Sequence, residues 1–229
     1  MNIGISELDL VEGFLEGYSA PFHASHSDFF GSYALEVPMS QGRPDLVLGK
    51  TSDQHGDHAK CVDLGQLLRK PKYSSVIGNL SFRRFTEGDY LSETLGIRQA
   101  EMARILCELS EIGVVRRKSD KYMLSEESNL RSRALWAVEF KLTDWKRALY
   151  QAIRYRSSAQ RVTVVMPAQS LPPRSKVLGV SARFNIGLSS YDTESGSLKT
   201  VVRTKTMNPY SMSNYYYGLG QFMELSGCA

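Results

Sequence analysis

Two charges close an otherwise apolar run. In ALWAVEFKL, residues 134–142, Glu139 and Lys141 end a stretch of Leu, Trp, Val and Phe. Strand alternation puts both on one face, with Phe140 pointing away. A lone carboxylate inside a sheet is costly, so Glu139 needs a partner. For a single E-x-K the ordinary explanation is an ion pair. The alternative is half of a metal site, in which Lys141 polarises a nucleophile or steadies charge on a phosphate. A second carboxylate is available in RPDLVLG, where Asp45 follows Pro44. If that strand pairs with 134–142, the two acids converge on one hard cation such as Mg²⁺, which takes oxygen ligands and keeps several waters.

The elements that must position these residues can be traced along the chain. SELDLVEGFLEGYS reads as an amphipathic helix capped by Ser6, with Leu8, Leu10, Val11, Phe14, Leu15 and Tyr18 on one side. SYALEVPM and PDLVLG read as a strand pair around the turn SQGR, and KTSDQHGDHAKCVD as a polar loop. After the charged joint SEESNLRSR comes the strand 134–142, then a helix from Thr143, its expected N-cap, to about Ala159. RVTVVMP is a continuous apolar strand, the kind buried on both faces. PPRSKVLG reads as a short connection, and GLSSYD and LKTVVRTK as a late strand pair around TESG. The C-terminal NPYSMSNYYYGLGQFMELSGCA has no clear period and is left unassigned.

Pro44-Asp45, then Glu139-Phe140-Lys141 at a strand end, then a helix and an apolar strand, resemble the PD-(D/E)XK nuclease superfamily. The resemblance covers nearly all of residues 1–71 and 125–229 and implies an α/β restriction-endonuclease-like core, a central mixed sheet flanked by helices. The long separation of Asp45 from Glu139 departs from the family pattern, and a domain inserted at a loop tip accounts for it. Gln151 and Tyr155 form Q-x-x-x-Y on one side of the following helix, as in RecB-like members. By resemblance, Gln151 orients a water or phosphate and Tyr155 supports the site; by themselves they read as half-buried helix residues. Related nucleases often place a Glu on the first helix. Glu7 is the favoured candidate and Glu12 its substitute, although Glu7 equally suits a first helical turn. The implied chemistry is phosphodiester hydrolysis with Mg²⁺ or Mn²⁺ held by Asp45, Glu139 and Glu7. The metal lowers the pKa of a water and neutralises phosphate charge, while Lys141 positions that water or stabilises the pentavalent transition state.

Residues 72–124 change character. YSSVIGNLSFRRF reads as a helix, EGDYLSETLG as a short helix ending at Gly96, and IRQAEMARILCELSEIG as a longer one ending at Gly113. VVRRKSDKYML alternates around the turn KSD, as a two-stranded wing does. This block resembles an inserted winged helix-turn-helix domain. In such a domain the second helix enters the major groove, which nominates Arg98, Gln99, Glu101, Met102 and Arg104 for base edges. The wing offers Arg116, Arg117, Lys118 and Lys121 to phosphates. Winged helices also serve as protein-binding modules, and exposed Arg and Lys are often simply solvated.

Composition bounds the rest. The 229 residues, 42% hydrophobic and 23% charged with net charge +4, suit a globular protein with a basic lean. Cys61, Cys107 and Cys228 are odd in number and form no CxxC pair, which argues against a zinc ribbon or a disulfide framework. No leader or membrane-spanning run is evident, so the expected location is cytoplasmic. Asp53, His55, Asp57 and His58 crowd together, but H-x-x-H beside Gly56 reads as a solvated loop. No P-loop or nucleophile elbow is present. The expected partner is nucleic acid, double-stranded DNA first, with a homodimer left open. The competing reading is a regulator that keeps the nuclease fold as a scaffold for binding DNA or a partner protein.

Overall fold

The computed structural model describes residues 5–19, 32–50 and 58–227. In chain order its elements are α1 (Glu7–Ser19), β1 (Ser32–Leu35), β2 (Leu46–Lys50), α2 (His58–Leu68), α3 (Pro71–Asn79), β3 (Thr86–Glu87), α4 (Gly88–Leu95), α5 (Gln99–Glu111), β4 (Val115–Lys118) and β5 (Lys121–Leu124). They continue as β6 (Ala134–Phe140), α6 (Trp145–Tyr155), β7 (Arg161–Pro167), α7 (Arg174–Phe184), β8 (Gly187–Asp192), β9 (Ser197–Val202) and α8 (Met212–Leu225).

The chain is an α/β protein built on a mixed six-stranded sheet of order β1-β2-β6-β7-β8-β9. β6, β7 and β8 run parallel, and the outer pairs are antiparallel. The central strands are buried on both faces, which is why 134–140 and 161–167 are nearly unbroken apolar runs. β2 lies directly beside β6, although 83 residues separate Lys50 from Ala134.

Helices cover both faces. On one side α1 sets Leu10, Val11 and Phe14 against Leu46, Leu48, Trp136, Val138 and Phe140. Phe14 meets Trp136 and Phe140 edge-on at centroid distances of 6.0 and 5.6 Å. The helix starts on a reciprocal cap: the Asp9 N–H donates to Ser6 Oγ at 3.2 Å and the Ser6 N–H to Asp9 Oδ2 at 2.6 Å. Leu8 does not join the inward side; it is 57% exposed in the first turn, before the helix reaches the sheet. The side chain of Tyr18 lies outside the described residues.

The opposite face carries α6 and α7 beside α8, which itself packs with α2 and α3. Several expectations are corrected here. Of the loop expected over 50–63, residues 51–57 lie outside the described residues, while His58 opens α2, whose Leu64 and Leu68 bury under α8. The helix expected over 73–85 stops at Asn79, with Pro71 in its first turn. PPRSKVLG opens α7 instead of a bare connection. α6 is capped by Asp144, whose Oδ1 accepts from the Arg147 N–H at 3.0 Å, and not by Thr143; it ends at Tyr155, not Ala159. The unassigned C-terminus is α8, which buries Tyr215, Tyr216, Leu219, Phe222 and Met223 and so shows no amphipathic period. The strand expected over 32–39 ends at Leu35, where Glu36 takes a φ of 48°.

Residues 86–124 form a second, three-stranded sheet of order β3-β5-β4, with α4 and α5 packed nearby. Gly96 makes the turn between the helices at φ 62°, a left-handed conformation that glycine adopts without strain. β3, only two residues long, is too short to show an alternation in the sequence. The apolar core runs unbroken from the large sheet through α3 to Ile105, Leu106 and Leu109 of α5. α3 lies so close to α8 that a Cβ on Gly78 would meet the Ser213 backbone nitrogen at 2.5 Å. Among the described residues, no helix is long and apolar enough to cross a membrane.

Candidate active site

The antiparallel register pairs Leu46 with Val138. One step further along both chains sets Asp45 opposite Glu139, on the face shared with Val47 and Ala137. This is the α6 face of the sheet, opposite the one covered by α1. The two acids therefore meet where the β2–β6 ladder ends. Asp45 Oδ2 accepts the Phe140 N–H at 2.7 Å, which fixes its carboxylate at the end of β6.

Glu139 is fully buried. Lys141 Nζ lies 3.2 Å from its Oε1 and forms an ion pair with it. Oε2 lies 3.0 Å from the Tyr155 hydroxyl, which is also 3.1 Å from the Arg43 carbonyl oxygen. That hydroxyl has one proton and two acceptors. With Glu139 ionised, Tyr155 donates to it; with Glu139 protonated, Glu139 can donate to Tyr155, which is then free to donate to Arg43.

The same crowding sets the electrostatics. Burial and the nearby Asp45 charge push the Glu139 carboxyl up to about 7, against the pull of Lys141 and Tyr155. Burial also raises Asp45, offset in part by the Phe140 N–H and Lys141 and reinforced by Glu7 and Glu36. Burial works against a charged Lys141, but Glu139, Asp45 and Glu7 outweigh it and hold its pKa above the ordinary lysine value. Desolvation and the Glu139 charge drive the Tyr155 phenol well up, so it acts only as a neutral donor.

Glu7 reaches the site from α1, but its Oε1 lies 3.3 Å from Lys141 Nζ. Lys141 thus stands between Glu7 and Glu139, and also donates to the Phe140 carbonyl at 2.9 Å. Glu12 is exposed on the same helix. Gln151 neighbours Tyr155, and its Oε1 is buried without a partner. Among the described residues, no three His, Cys, Asp or Glu side chains form a group able to hold a metal ion. Asp53, His55 and Asp57, and the side chain of His58, lie outside the described residues.

Does the donor set suit a hard dication? Asp45 and Glu139 offer oxygen ligands only, the type Mg²⁺ and Mn²⁺ take. Both acids are raised by burial, Glu139 further by the Asp45 charge, a penalty that a cation between them would relieve. Glu139 Oε1 is buried and has the Lys141 ammonium 3.2 Å away. These two residues fit; Glu7 as placed neutralises Lys141 instead. The Phe140 N–H and the Arg43 carbonyl also shape the site, and no side-chain pattern announces such backbone groups.

The residues named for nucleic-acid contact are scattered in their engagements. Met102 is 2% exposed and belongs to the core, so it cannot read bases; its side chain fills the space beneath α4 and α5. Glu101 pairs with Lys72 at 2.7 Å, Arg104 with Glu108 at 2.7 Å, and Lys121 with Glu87 at 3.1 Å. Gln99 donates to Asp89 Oδ1 at 3.3 Å. Arg117 donates to the Ser119 carbonyl at 2.7 Å and lies over Tyr122. Arg98, Arg116 and Lys118 are exposed, with no salt bridge among the described residues.

No family model matches the chain, and neither the curated proteins nor the solved structures give a match.

Proposed function

We propose that the chain is a divalent-metal-dependent nuclease that hydrolyses DNA phosphodiester bonds. The carrying observation is the placement of Asp45 opposite Glu139 with the Lys141 ammonium alongside, at the end of two paired strands. A structural ion pair would need only Glu139 and Lys141. The second acid raises the cost of the first, an arrangement that costs stability unless it has a use.

Asp45 and Glu139 would hold Mg²⁺ or Mn²⁺, which when bound supplies positive charge against a phosphodiester and acidifies water. The chain's own groups do the rest. Lys141, still charged at neutral pH, donates to and neutralises a phosphate oxygen. Gln151 Oε1 accepts from a water and orients it. Tyr155 holds Glu139 by its Oε2, while Oε1 faces Lys141. The likeness to PD-(D/E)XK nucleases rests on these positions.

On this reading residues 72–124 act as a winged-helix module that grips or selects the nucleic acid. Its helix pair around Gly96 and its β4–β5 hairpin support that reading. Arg98, Arg116, Arg117 and Lys118 are its available cations. Gln99, Arg104 and Lys121 would have to exchange internal partners for contacts with DNA.

A scaffold without catalysis is favoured by one observation, the capture of Lys141 by both Glu7 and Glu139. Incubating plasmid DNA with the protein in Mg²⁺ or Mn²⁺ decides between them. Cleavage that is lost in Asp45→Asn supports the nuclease; binding without cleavage in either metal supports the scaffold.

A further inference from the structure

From Trp145 to Tyr191 the chain carries eight Lys and Arg and no Asp or Glu. Acids make up 24 of the 229 residues, so a stretch of this length would ordinarily hold about five. The gap is confined to the segment that contains α6, β7 and α7. By contrast, residues 72–124 hold nine Lys and Arg against seven Asp and Glu. The basic lean of the protein therefore resides in the α6–α7 segment and not in the module read as winged-helix.

Where those cations point matters more than their number. Arg156 is buried, bound to the carbonyls of Ala159 and Asn208, and Arg161 lies over Trp136; both are internal. Lys146, Arg147 and Arg154 of α6, and Lys176 and Arg183 of α7, are exposed. Arg147 and Arg154 are seven residues apart, as are Lys176 and Arg183, so each pair shares one side of its helix. The two helices pack against each other on the same face of the sheet. Among the described residues, no salt bridge holds any of the five.

Tyr150 stands between Arg147 and Arg154, 64% exposed, with Arg154 over its ring at 5.9 Å. An exposed aromatic set among cations is the composition of a nucleic-acid track, where phosphates meet Lys and Arg and a ring can stack on a base. The next residue, Gln151, turns its buried, unpartnered Oε1 the other way. One helix thus offers both a basic outer stripe and a group of the candidate active site.

We infer that the outer face of α6 and α7, through Lys146, Arg147, Tyr150, Arg154, Lys176 and Arg183, is the main surface that binds the phosphate backbone of nucleic acid. The choice of nucleic acid as occupant rests on the nuclease reading and on the five exposed cations of this face, set against one exposed acid, Asp144, at the start of α6. The α5 and wing residues contribute a smaller share, since two of their cations, Arg104 and Lys121, are already paired internally.

The test measures binding without cleavage. Fluorescence anisotropy with a labelled 20-base-pair duplex and a 20-nucleotide single strand, in EDTA at 50–200 mM salt, gives affinity and salt slope. Three variants are compared: Lys146→Gln/Arg147→Gln/Arg154→Gln on α6, Lys176→Gln/Arg183→Gln on α7, and Arg116→Gln/Arg117→Gln on the wing. The substituted residues are exposed, and melting curves confirm folding. The α6 triple is expected to weaken binding at least tenfold at 100 mM salt and to flatten the slope on duplex by about 0.9 for each phosphate no longer neutralised. The α7 double should act in the same direction, and both should exceed the wing double. Unchanged affinity and slope in the α6 and α7 variants, or a larger loss in the wing variant, overturns the inference. So does wild-type binding to phosphatidylserine vesicles with none to either nucleic acid. Because EDTA removes catalysis, a protein that binds through this face but never cleaves would refute the nuclease reading alone.

Discussion

Asp45 and Glu139 stand opposite each other one residue beyond the last paired position of β2 and β6, Leu46 with Val138. Both acids are raised by burial, and the Asp45 charge raises Glu139 further. Lys141 provides one positive charge for Glu139, Asp45 and Glu7 together. Burial and the Asp45 charge therefore leave Glu139 costly to ionise despite the ammonium beside it.

Asp45→Asn separates function from folding. Asparagine keeps an oxygen for the Phe140 N–H and removes a charge that Glu139 opposes. The variant should melt no lower than the parent while Mg²⁺-dependent cleavage falls at least about a hundredfold, the scale of losing a direct electrostatic contribution to the transition state. Lys141→Ala is the less clean test. It leaves buried Glu139 without its ammonium, and breaking such a pair costs about 3–5 kcal/mol. Cleavage should vanish together with thermal stability.

The pH dependence of stability carries a definite sign. Glu139 titrates near 7 when folded and near 4.5 when unfolded. Between those values the folded chain holds a proton that the unfolded chain has released. Raising the pH through that window therefore lowers stability, by about 3 kcal/mol at full effect. Asp45, also raised, adds in the same direction. Denaturant titrations from pH 4.5 to 8 should show the decline without metal, and Glu139→Gln should flatten it. A profile that rises with pH would be inconsistent with the buried pair.

Tyr155→Phe removes the only proton shared between Glu139 Oε2 and the Arg43 carbonyl. A buried acceptor left without its donor costs about 1–3 kcal/mol. For a chain of this size each kcal/mol corresponds to about 2–4 °C in Tm. The variant should melt lower, and more so at pH 8, where Glu139 is ionised. An unchanged melting temperature at both pH values would mean that the hydroxyl does not support the acid.

Arg116→Ala with Arg117→Ala tests the wing. Two cations fully engaged with phosphates would give a change of about 1.8 in the salt slope of DNA binding; with the main contact on α6 and α7 the wing double should flatten it by less than that. If the slope does not move, the hairpin lies off the backbone.

The grouping of the candidate site's side chains was legible in the sequence because its signals are local and chemical. Glu139 is a charge in an apolar strand, Asp45 follows a proline, and Gln151 and Tyr155 share a helical side; the structure brings all four together with Lys141. What escaped depends on surroundings. α8 is apolar on several sides because strands, α2 and α3 enclose it, which erases the amphipathic period. The first half of α2, residues 58–63, is polar enough to read as loop, and the residues that bury the helix under α8, Leu64 and Leu68, come only after it. Met102 occupies a position that faces bases in the expected helix but turns inward here. Glu7 neighbours the site as its helical position suggests, yet its partner is Lys141, a choice of side-chain direction that spacing does not encode.

The most direct measurement is anomalous diffraction from crystals soaked in Mn²⁺. The account predicts a peak in contact with the carboxylates of both Asp45 and Glu139, absent in Asp45→Asn. A map that shows no peak between those two residues, at a Mn²⁺ concentration that supports cleavage, would contradict it.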